Sequence, residues 1–416
     1  MSDIENEHNA CSEQGARSVS SAQNACSAQN ARGEQSTEHE DAKATNPSVV
    51  HTQDNDVVDV SVIVPCYNCS TYVYQAVSSI LKNHNCALEV IVLNDGSTDT
   101  TLSILQDLSA KDARMRVIDK ANEGYGKTVN RGIDEAKGTY IAILEADDWI
   151  ADGAYDELFH IACQNKFPDI VKSAFWCVYQ ADTPAQTIAH CNFYKKLGAP
   201  ARSFTLTECP RLLEHHPSIW SCLYKRAFLR EKKLRFQELP GASWVDTPFN
   251  FRALACASTI VYTDNSYYYY RVEAPGSSSA TRTLDLSFAR FQDMMAIARE
   301  LAISDRGILE ALYTVGFSYV EDAIAHGALQ LSYAKSQALI MSLYASLDPS
   351  IVAGMDRLSK QAKNRYASLM GKPTCAFSSA RHARALAGDF AQLSHEYGAA
   401  YALSRAVHFL AHRISK

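Results

Sequence analysis

Four carboxylates follow two apolar stretches of the sequence in a way that would bring them to one edge of a β-sheet. Asp95 ends one stretch, and Glu145, Asp147 and Asp148 end another. Carboxylates that converge repel one another unless a cation or several hydrogen-bond donors hold them. Mg²⁺ and Mn²⁺ prefer oxygen ligands and often bind through one or two carboxylates together with phosphate groups. The pattern therefore indicates a divalent-metal site that accompanies a diphosphate.

The Asp-Asp pair also has a simpler interpretation. Asp147 and Asp148 by themselves are typical of residues that begin a turn and cap the helix after Trp149. A short acidic motif does not separate these two alternatives, so the choice depends on what the rest of the chain places beside it.

A cysteine pair, Cys66 and Cys69, lies in "VIVPCYNCS" where the first apolar stretch ends. Such spacing is typical of redox or zinc sites. A structural zinc site needs four ligands, and the sequence has no second Cys-x-x-Cys or tight Cys/His pair. The carboxylates expected at the same edge disfavour a thiolate. We therefore expect these cysteines to be small core or turn residues.

The elements that position these residues alternate between strand and helix. Apolar stretches at 57–64 and 88–93, then "MRVIDK" and "TYIAILEADDWI", read as buried strands separated by amphipathic helices. This order predicts an α/β fold with a doubly wound, mostly parallel sheet, in which ligands bind beyond the carboxyl ends of the strands. The pattern is mixed from about 170 to 280 and mainly helical afterwards.

Composition predicts three parts. Residues 1–58 are polar, and we expect them to be disordered; residues 1–59 carry 11 acidic and 3 basic residues. Residues 59–282 would form the catalytic domain, and 283–416 a mainly helical C-terminal region. Residues 357–416 carry 10 basic and 2 acidic residues. With Arg405, Arg413 and Lys416 on its last helix, this region would either cap the domain or contact an anionic membrane surface.

Several classes of protein are disfavoured. There is no G-x-x-x-x-G-K-S/T sequence, and "GYGKTVNRG" lacks the third glycine of a dinucleotide fingerprint. The net charge of −6 argues against a nucleic-acid partner. No stretch has the 18 or so apolar residues of a membrane span, and the N-terminus does not read as a signal peptide. The 12 scattered cysteines favour reduced thiols. We therefore expect a cytoplasmic location, which includes the inner face of the membrane.

Taken together, the motifs between about 59 and 280 resemble glycosyltransferase family 2, whose catalytic domain has the A-type glycosyltransferase fold. "VSVIVPCYN", "LNDGSTD" and "NEGYGKTVNRGIDEAKGTYIAILEADD" occur in the expected order. The resemblance implies that Pro65, Cys66 and Tyr67 lie against the nucleotide base and that Asp95 accepts a hydrogen bond from the uracil or ribose.

The same resemblance assigns further residues to the donor. Lys127 and Asn130 would face the nucleotide. In the motif "EADD", Asp148 is the first choice for the metal ligand, Asp147 follows closely and also faces the nucleotide, and Glu145 departs from the family's usual aspartate.

Two later motifs complete the implied site. "ELPGASWVDTPFN" resembles the region of the catalytic base and assigns this role to Asp246, although Val245 replaces the family's preceding acid and Asp246 also fits a helix N-cap. "YYYYRVEAPGSSS" would place Arg271 and Ser277 to Ser279 over the diphosphate, or else form a strand with an exposed arginine and a loop.

The sequence says least about which residues contact the acceptor. "HHPSIWSCLYKRAFL" resembles a segment under the acceptor, where His216 and Trp220 would touch a sugar or, equally, serve as a turn histidine and a buried tryptophan.

The implied reaction is inverting, Mn²⁺- or Mg²⁺-dependent transfer of a sugar from a nucleotide-diphosphate donor, with UDP-sugar favoured, to a saccharide or lipid-linked saccharide. A nucleotidyltransferase would need a Gly- and Arg-rich first loop, which Pro65 to Ser70 lacks. A binding protein without catalysis is the other alternative.

Overall fold

The computed structural model describes residues 57–241, 243–272, 284–326, 333–373, 377–385 and 387. Three predictions therefore lie outside the described residues. They concern residues 1–56, the loop with Ser277 to Ser279, and the last basic helix with Arg405, Arg413 and Lys416. The three-part division of the chain remains a prediction for the same reason.

The first half of the sheet is a parallel, buried layer. Its strands are β1 (Val60–Cys66), β2 (Leu88–Asp95), β3 (Met115–Lys120) and β4 (Tyr140–Ile143), in the spatial order β3-β2-β1-β4. The connecting helices are α1 (Val73–Ile80), α2 (Thr101–Ser109) and α3 (Tyr125–Glu135). Every residue of β1 is buried, as expected for a strand covered on both faces. The sequence prediction of a parallel α/β layer is confirmed for this half.

Two of these strands extend further than the apolar pattern indicates. The predicted strand 57–64 is observed as Val60–Cys66, and the predicted strand 88–93 continues to Asp95. Pro65 is accommodated because β4 pairs with β1 only as far as Ile63, so one side of the strand has no ladder at the proline.

The second half of the sheet is mixed. It contains β5 (Trp149–Ile150), β6 (Ile170–Tyr179), β7 (Thr187–His190), β8 (Cys222–Lys225) and β9 (Ile260–Arg271), with α4 (Ala154–Gln164), α5 (Arg226–Glu231) and α6 (Asp246–Cys256). β8 joins the two halves by running antiparallel to β4 and to β6, while β9 runs parallel to β6 and antiparallel to the short β5. The pairing with β5 holds β9 beside the residues that follow β4.

The described C-terminal region is helical, as predicted. Its helices are α7 (Leu284–Glu300), α8 (Arg306–His326), α9 (Tyr333–Ala345), α10 (Pro349–Gly354) and α11 (Lys360–Leu369). Buried rings of Phe317, Tyr344 and Tyr366 pack on one another at its centre, and α7 packs against α6. Among the helices of the described residues, none combines the length and apolar character that crossing a membrane requires.

Candidate active site

The acidic motif after β4 and the start of α6 meet at the carboxyl edge of the sheet. Glu145 and Asp147 are partly exposed, and Asp246 is the first residue of α6. Burial, together with the nearby charges of Asp147 and Asp246, raises the pKa of Glu145 to about 8. Burial also raises the pKa of Asp246 to about 6. The structure thus brings together three carboxylates that the sequence assigned to one site.

Asp246 is not the N-cap of α6. The helix begins at Asp246 itself, after Val245, and the backbone and hydroxyl of Thr247 donate hydrogen bonds to its carboxylate. Val245 is buried in the core, where an acid would lose its hydration without a partner. This burial accounts for the apolar residue at the position where the related motif carries an acid.

Two tyrosines that sequence reasoning missed organise the acidic motif. The hydroxyl of Tyr125, at the start of α3, donates to Oε1 of Glu145 at 2.6 Å. The hydroxyl of Tyr268, on β9, accepts from the backbone N–H of Glu145 at 3.2 Å and donates to Oδ2 of Asp148 at 2.8 Å. Strand alternation within "YYYY" would have placed Tyr268 on one face with Tyr270, but not against a particular acid.

Asp147 and Asp148 have different surroundings although they are adjacent. Asp148 is 1% exposed, and its Oδ1 accepts from the backbone N–H of Arg271 at 2.7 Å, so both oxygens are held by β9. Asp147 is partly exposed, and its carboxylate accepts from its own backbone N–H. Burial raises the pKa of both carboxyls, that of Asp148 well above its ordinary value. Asp148 therefore has a structural role in holding β9, whereas Asp147 is accessible to a ligand.

Arg271 is buried, not exposed on the strand. Its side chain is 2% exposed, and its guanidinium carbon lies 4.7 Å from the ring centre of Tyr72 and 4.4 Å from that of Trp149. Nη2 donates to Gln75 at 2.6 Å and to Asp182 at 3.1 Å, and Nη1 donates to the carbonyl of Asp147. Arg271 thus places a fixed positive charge directly behind Asp147.

The turn after β1 presents one aromatic ring. Pro65 and Cys66 are buried, whereas Tyr67 is 54% exposed. Asn68 has a left-handed φ of 49°, its backbone N–H donates to Ser97 Oγ at 3.0 Å, and its side-chain oxygen accepts from the backbone N–H of Thr98 at 2.8 Å. These bonds fix the turn beside the end of β2, so Tyr67 is the side chain of the predicted turn that a base can reach.

Asp95 is occupied by the loop before α3. Oδ1 accepts from the ammonium of Lys120 and from the backbone N–H of Glu123 at 2.8 Å, and Oδ2 accepts from that of Gly124 at 3.0 Å. Gly124 has a φ of 89°, which an L side chain rarely adopts. Lys120, which sequence reasoning missed, therefore neutralises the acid assigned to the nucleotide.

Lys127 and Asn130 lie on the same helix but in different environments. The Lys127 side chain is 48% exposed and forms an ion pair with Glu123. Asn130 is buried, exchanges two hydrogen bonds with the backbone of Phe236 at 2.9 and 3.0 Å, and donates to Glu238 at 3.1 Å. Asn130 anchors the segment before α6 onto α3, where the sequence predicted nucleotide contact. Lys127 remains accessible to a ligand.

His216 and Trp220 also differ. Trp220 is buried, and its ring stacks on Tyr268 with centroids 4.0 Å apart. His216 is exposed, and its Nδ1 accepts from the backbone N–H of Ser218 at 3.0 Å. Trp220 therefore supports Tyr268 from beneath, and His216 is the residue of this pair that can touch an acceptor.

The carboxylates fit a divalent cation shared with a ligand. Within the described residues, no three His, Cys, Asp or Glu side chains are arranged so that they would hold a metal by themselves. Mg²⁺ commonly binds through one or two carboxylates and completes its shell with phosphate oxygens and water. Asp147, a partly exposed carboxylate in a cluster of acids with raised pKa values, matches that requirement.

Comparison with known proteins identifies the family. The model of the family described as "Glycosyl transferase family 2" matches residues 61–231. The glycosyltransferase GlyG of Streptococcus pneumoniae is 30% identical over 242 residues, which cover 56% of this chain and 76% of GlyG. The chain belongs to glycosyltransferase family 2.

A second relative and a solved structure are also similar to this chain. The uncharacterized glycosyltransferase EpsJ of Bacillus subtilis is 32% identical over 225 residues, which cover 52% of this chain and 62% of EpsJ. The chain thus spans less than two thirds of that relative. The crystal structure of S. aureus TarS in complex with UDP-GlcNAc superposes with a TM-score of 0.62 at 18% identity, over 82% of this chain and 92% of the TarS chain. The predicted A-type glycosyltransferase fold is confirmed.

Proposed function

We propose that this family 2 protein transfers a sugar from a nucleotide-diphosphate sugar to an acceptor hydroxyl, with inversion at the anomeric carbon. The observation that carries the proposal is the meeting of Asp246 with the acidic motif after β4, since the two are far apart in sequence. The acidic motif would hold a divalent cation that neutralises the departing diphosphate, and Asp246 would take the acceptor proton.

The donor would bind along the carboxyl edge of the parallel half. The exposed ring of Tyr67 would stack on the base, with Pro65 and Cys66 forming the backbone of the turn beneath it. Asp95 would accept from the nucleotide through its remaining lone pairs, and Lys127 would exchange Glu123 for a phosphate oxygen. The likeness to TarS, which was solved with UDP-GlcNAc, supports a uridine nucleotide.

Mn²⁺ or Mg²⁺ would be held by Asp147 in preference to Asp148, because Asp147 is partly exposed, whereas Asp148 is 1% exposed and both of its oxygens accept hydrogen bonds from β9. Glu145, engaged by the hydroxyl of Tyr125, is less suited than Asp147. When bound, the ion supplies positive charge that neutralises the diphosphate leaving group. The guanidinium of Arg271 contributes a second positive charge behind Asp147, and its contacts with Asp147 and Trp149 hold it in place.

Asp246 would act as the general base. A pKa of about 6 leaves most of this carboxylate ionised at neutral pH while keeping it a better proton acceptor than an ordinary aspartate. His216, exposed near Trp220 and Tyr270, would contact the acceptor sugar. We propose a saccharide or lipid-linked saccharide as acceptor. A cytoplasmic location, with peripheral contact at the inner face of the membrane through the basic C-terminal region, suits such an acceptor.

The deciding experiment is calorimetric titration of UDP into the reduced protein with and without Mn²⁺. We expect Mn²⁺-dependent binding by the wild type and by Asp107→Asn, an exposed control on α2, and loss of the Mn²⁺ dependence in Asp147→Ala. Wild-type protein that binds UDP should then be assayed for transfer from UDP-sugars. Failure to bind UDP, GDP or dTDP under any of these conditions would overturn the proposal.

A further inference from the structure

Two cysteines lie at and after the end of β1, and the proposed sugar transfer does not use their thiols. Cys66 is the last residue of β1 and is buried, and Cys69 lies in the turn that leads to α1 and is partly exposed. The Cys66 thiol donates to the backbone carbonyl of Val64 at 3.7 Å and is a neighbour of the Cys69 sulfur. We propose that Cys66 and Cys69 form an oxidisable dithiol, a modification site for peroxide-class oxidants beside the nucleotide turn.

The surroundings of the two sulfurs give them different roles. The Cys69 sulfur has the Cys66 thiol as a neighbour and accepts a hydrogen bond from the hydroxyl of Thr101, whose oxygen is 3.9 Å from the sulfur. The Cys66 thiol and the Thr101 hydroxyl lower the pKa of Cys69 despite partial burial and the charges of Asp99 and Asp147. Burial, together with the neighbouring Cys69, raises the pKa of Cys66 well above its ordinary value. Cys69 is therefore the nucleophile, and Cys66 resolves the intermediate.

The chemistry needs one equivalent of hydrogen peroxide. The Cys69 thiolate attacks a peroxide oxygen, the O–O bond breaks, and Cys69 sulfenic acid and hydroxide form. The Cys66 sulfur then attacks the Cys69 sulfur, the S–O bond breaks, and water leaves with the Cys66 proton. In total, two thiols are oxidised to one disulfide, and the peroxide is reduced to two waters. A dithiol reductant restores the pair.

Exposed Cys163 on α4 provides an internal control for simple accessibility. Cys163 is more exposed than Cys69, but burial of its sulfur and the charge of Asp59 raise its pKa. If accessibility alone governed oxidation, Cys163 would react first. If the polar surroundings of the Cys69 sulfur govern oxidation instead, Cys69 reacts first.

The test is mass spectrometry of the full chain after brief treatment with limiting hydrogen peroxide and alkylation of the remaining thiols. The tryptic peptide 44–82 contains Cys66 and Cys69 and no other cysteine, and the peptide 138–166 contains Cys163 alone. We expect 44–82 to lose two hydrogens and escape alkylation while 138–166 is still alkylated. We also expect Cys66→Ser to trap a Cys69 sulfenic acid that a 1,3-dicarbonyl probe labels.

Two results would overturn the proposal. One is oxidation of Cys163 at a peroxide dose that leaves 44–82 reduced. The other is conversion of Cys69 to higher oxides in the wild type without an intrapeptide disulfide. Both are measured on the wild-type chain, so they do not depend on the folding of a variant.

The effect on nucleotide binding rests on the proposed function. The two sulfurs must approach to about 2 Å in a disulfide. We expect this approach to break the contact of Cys69 with Thr101 and to shift Tyr67 and Asn68, which lie between the two cysteines in the sequence. We expect the peroxide-treated protein to bind UDP about tenfold more weakly than the reduced protein, with recovery after dithiothreitol. Equal affinities, once the disulfide is demonstrated, would overturn this effect. Absence of UDP binding by the reduced protein would instead contradict the proposed function.

Discussion

The two halves of the sheet contribute to the site by different means. In the parallel half, Asp95 and Asn68 bind backbone N–H groups of loops that immediately follow neighbouring strands. In the mixed half, β9 reaches across to the acidic motif with the hydroxyl of Tyr268 and the guanidinium of Arg271. These contacts of Asp95 and Asn68 therefore need only neighbouring loops, whereas those of Tyr268 and Arg271 form only after distant strands have paired.

The same division separates the residues proposed for nucleotide binding from those proposed for the transfer reaction. The residues proposed for the nucleotide lie mainly in the parallel half. The proposed base lies on α6, and Tyr268 and Arg271, which contact Asp148 and Asp147, lie on β9. Substitutions in the two halves should consequently affect different measurements.

The largest effect is expected for Asp246→Asn in the mixed half. The amide cannot accept the acceptor proton, so turnover should fall by about 10²–10⁴-fold while UDP affinity is preserved. Transfer assays and calorimetry on the same preparation measure the two quantities, with Asp107→Asn as the matched control. Retention of full turnover would remove Asp246 from the role of base and require another group for the chemistry.

Asp147 and Asp148 provide the sharpest comparison between ligand binding and folding. Asp148→Ala leaves the Tyr268 hydroxyl and the backbone N–H of Arg271 buried without their acceptor, so the free energy of unfolding should fall by about 2–4 kcal/mol. Asp147→Ala should leave thermal unfolding nearly unchanged and weaken Mn²⁺-dependent UDP binding by about 10–100-fold. Thermal denaturation and calorimetry distinguish the two variants, and a reversal of the two phenotypes would refute this division of roles.

Within the parallel half, Asn130 and Lys127 should behave in opposite ways. Asn130→Ala removes the anchor of the Phe236 backbone, so the free energy of unfolding should fall by about 1–3 kcal/mol. Lys127→Ala loses an exposed charge and should weaken UDP binding by about 0.5–1 kcal/mol with little change in unfolding. If Asn130→Ala instead weakened nucleotide binding at unchanged stability, the nucleotide role predicted from the sequence would be restored.

The pH dependence of the reaction tests the environment of Asp246. Burial raises the pKa of Asp246 to about 6, so the folded protein protonates this carboxylate at higher pH than an ordinary aspartate. Since the base must be unprotonated, kcat/KM should be constant above about pH 7 and fall about tenfold for each unit below pH 6. A pH–rate profile checks this. A midpoint near pH 4 would show that the carboxylate is solvated in the enzyme that reacts.

Much of the fold followed from residue pattern. The buried runs that became β1 and β2 and the helical pattern after Leu284 were predicted with small errors at their ends, because apolar periodicity reports which faces are buried. The pairing of β8 with both β4 and β6 was not predicted, since short antiparallel strands carry little periodic signal and depend on contacts between distant residues.

The sequence by itself determined the family, the order of the motifs and the residue types that meet at the carboxyl edge, because these depend on local pattern and on the rule that ligands bind where parallel strands end. Tertiary structure decided what each residue does there. Asp147 and Asp148 are chemically identical neighbours, and they differ because β9 donates two hydrogen bonds to Asp148 and leaves Asp147 partly exposed. Likewise, Asn130 became an anchor once Phe236 packed beside it. Hydrogen-bond partners from distant strands and loops fix these roles, and a one-dimensional pattern does not specify which partner reaches which side chain.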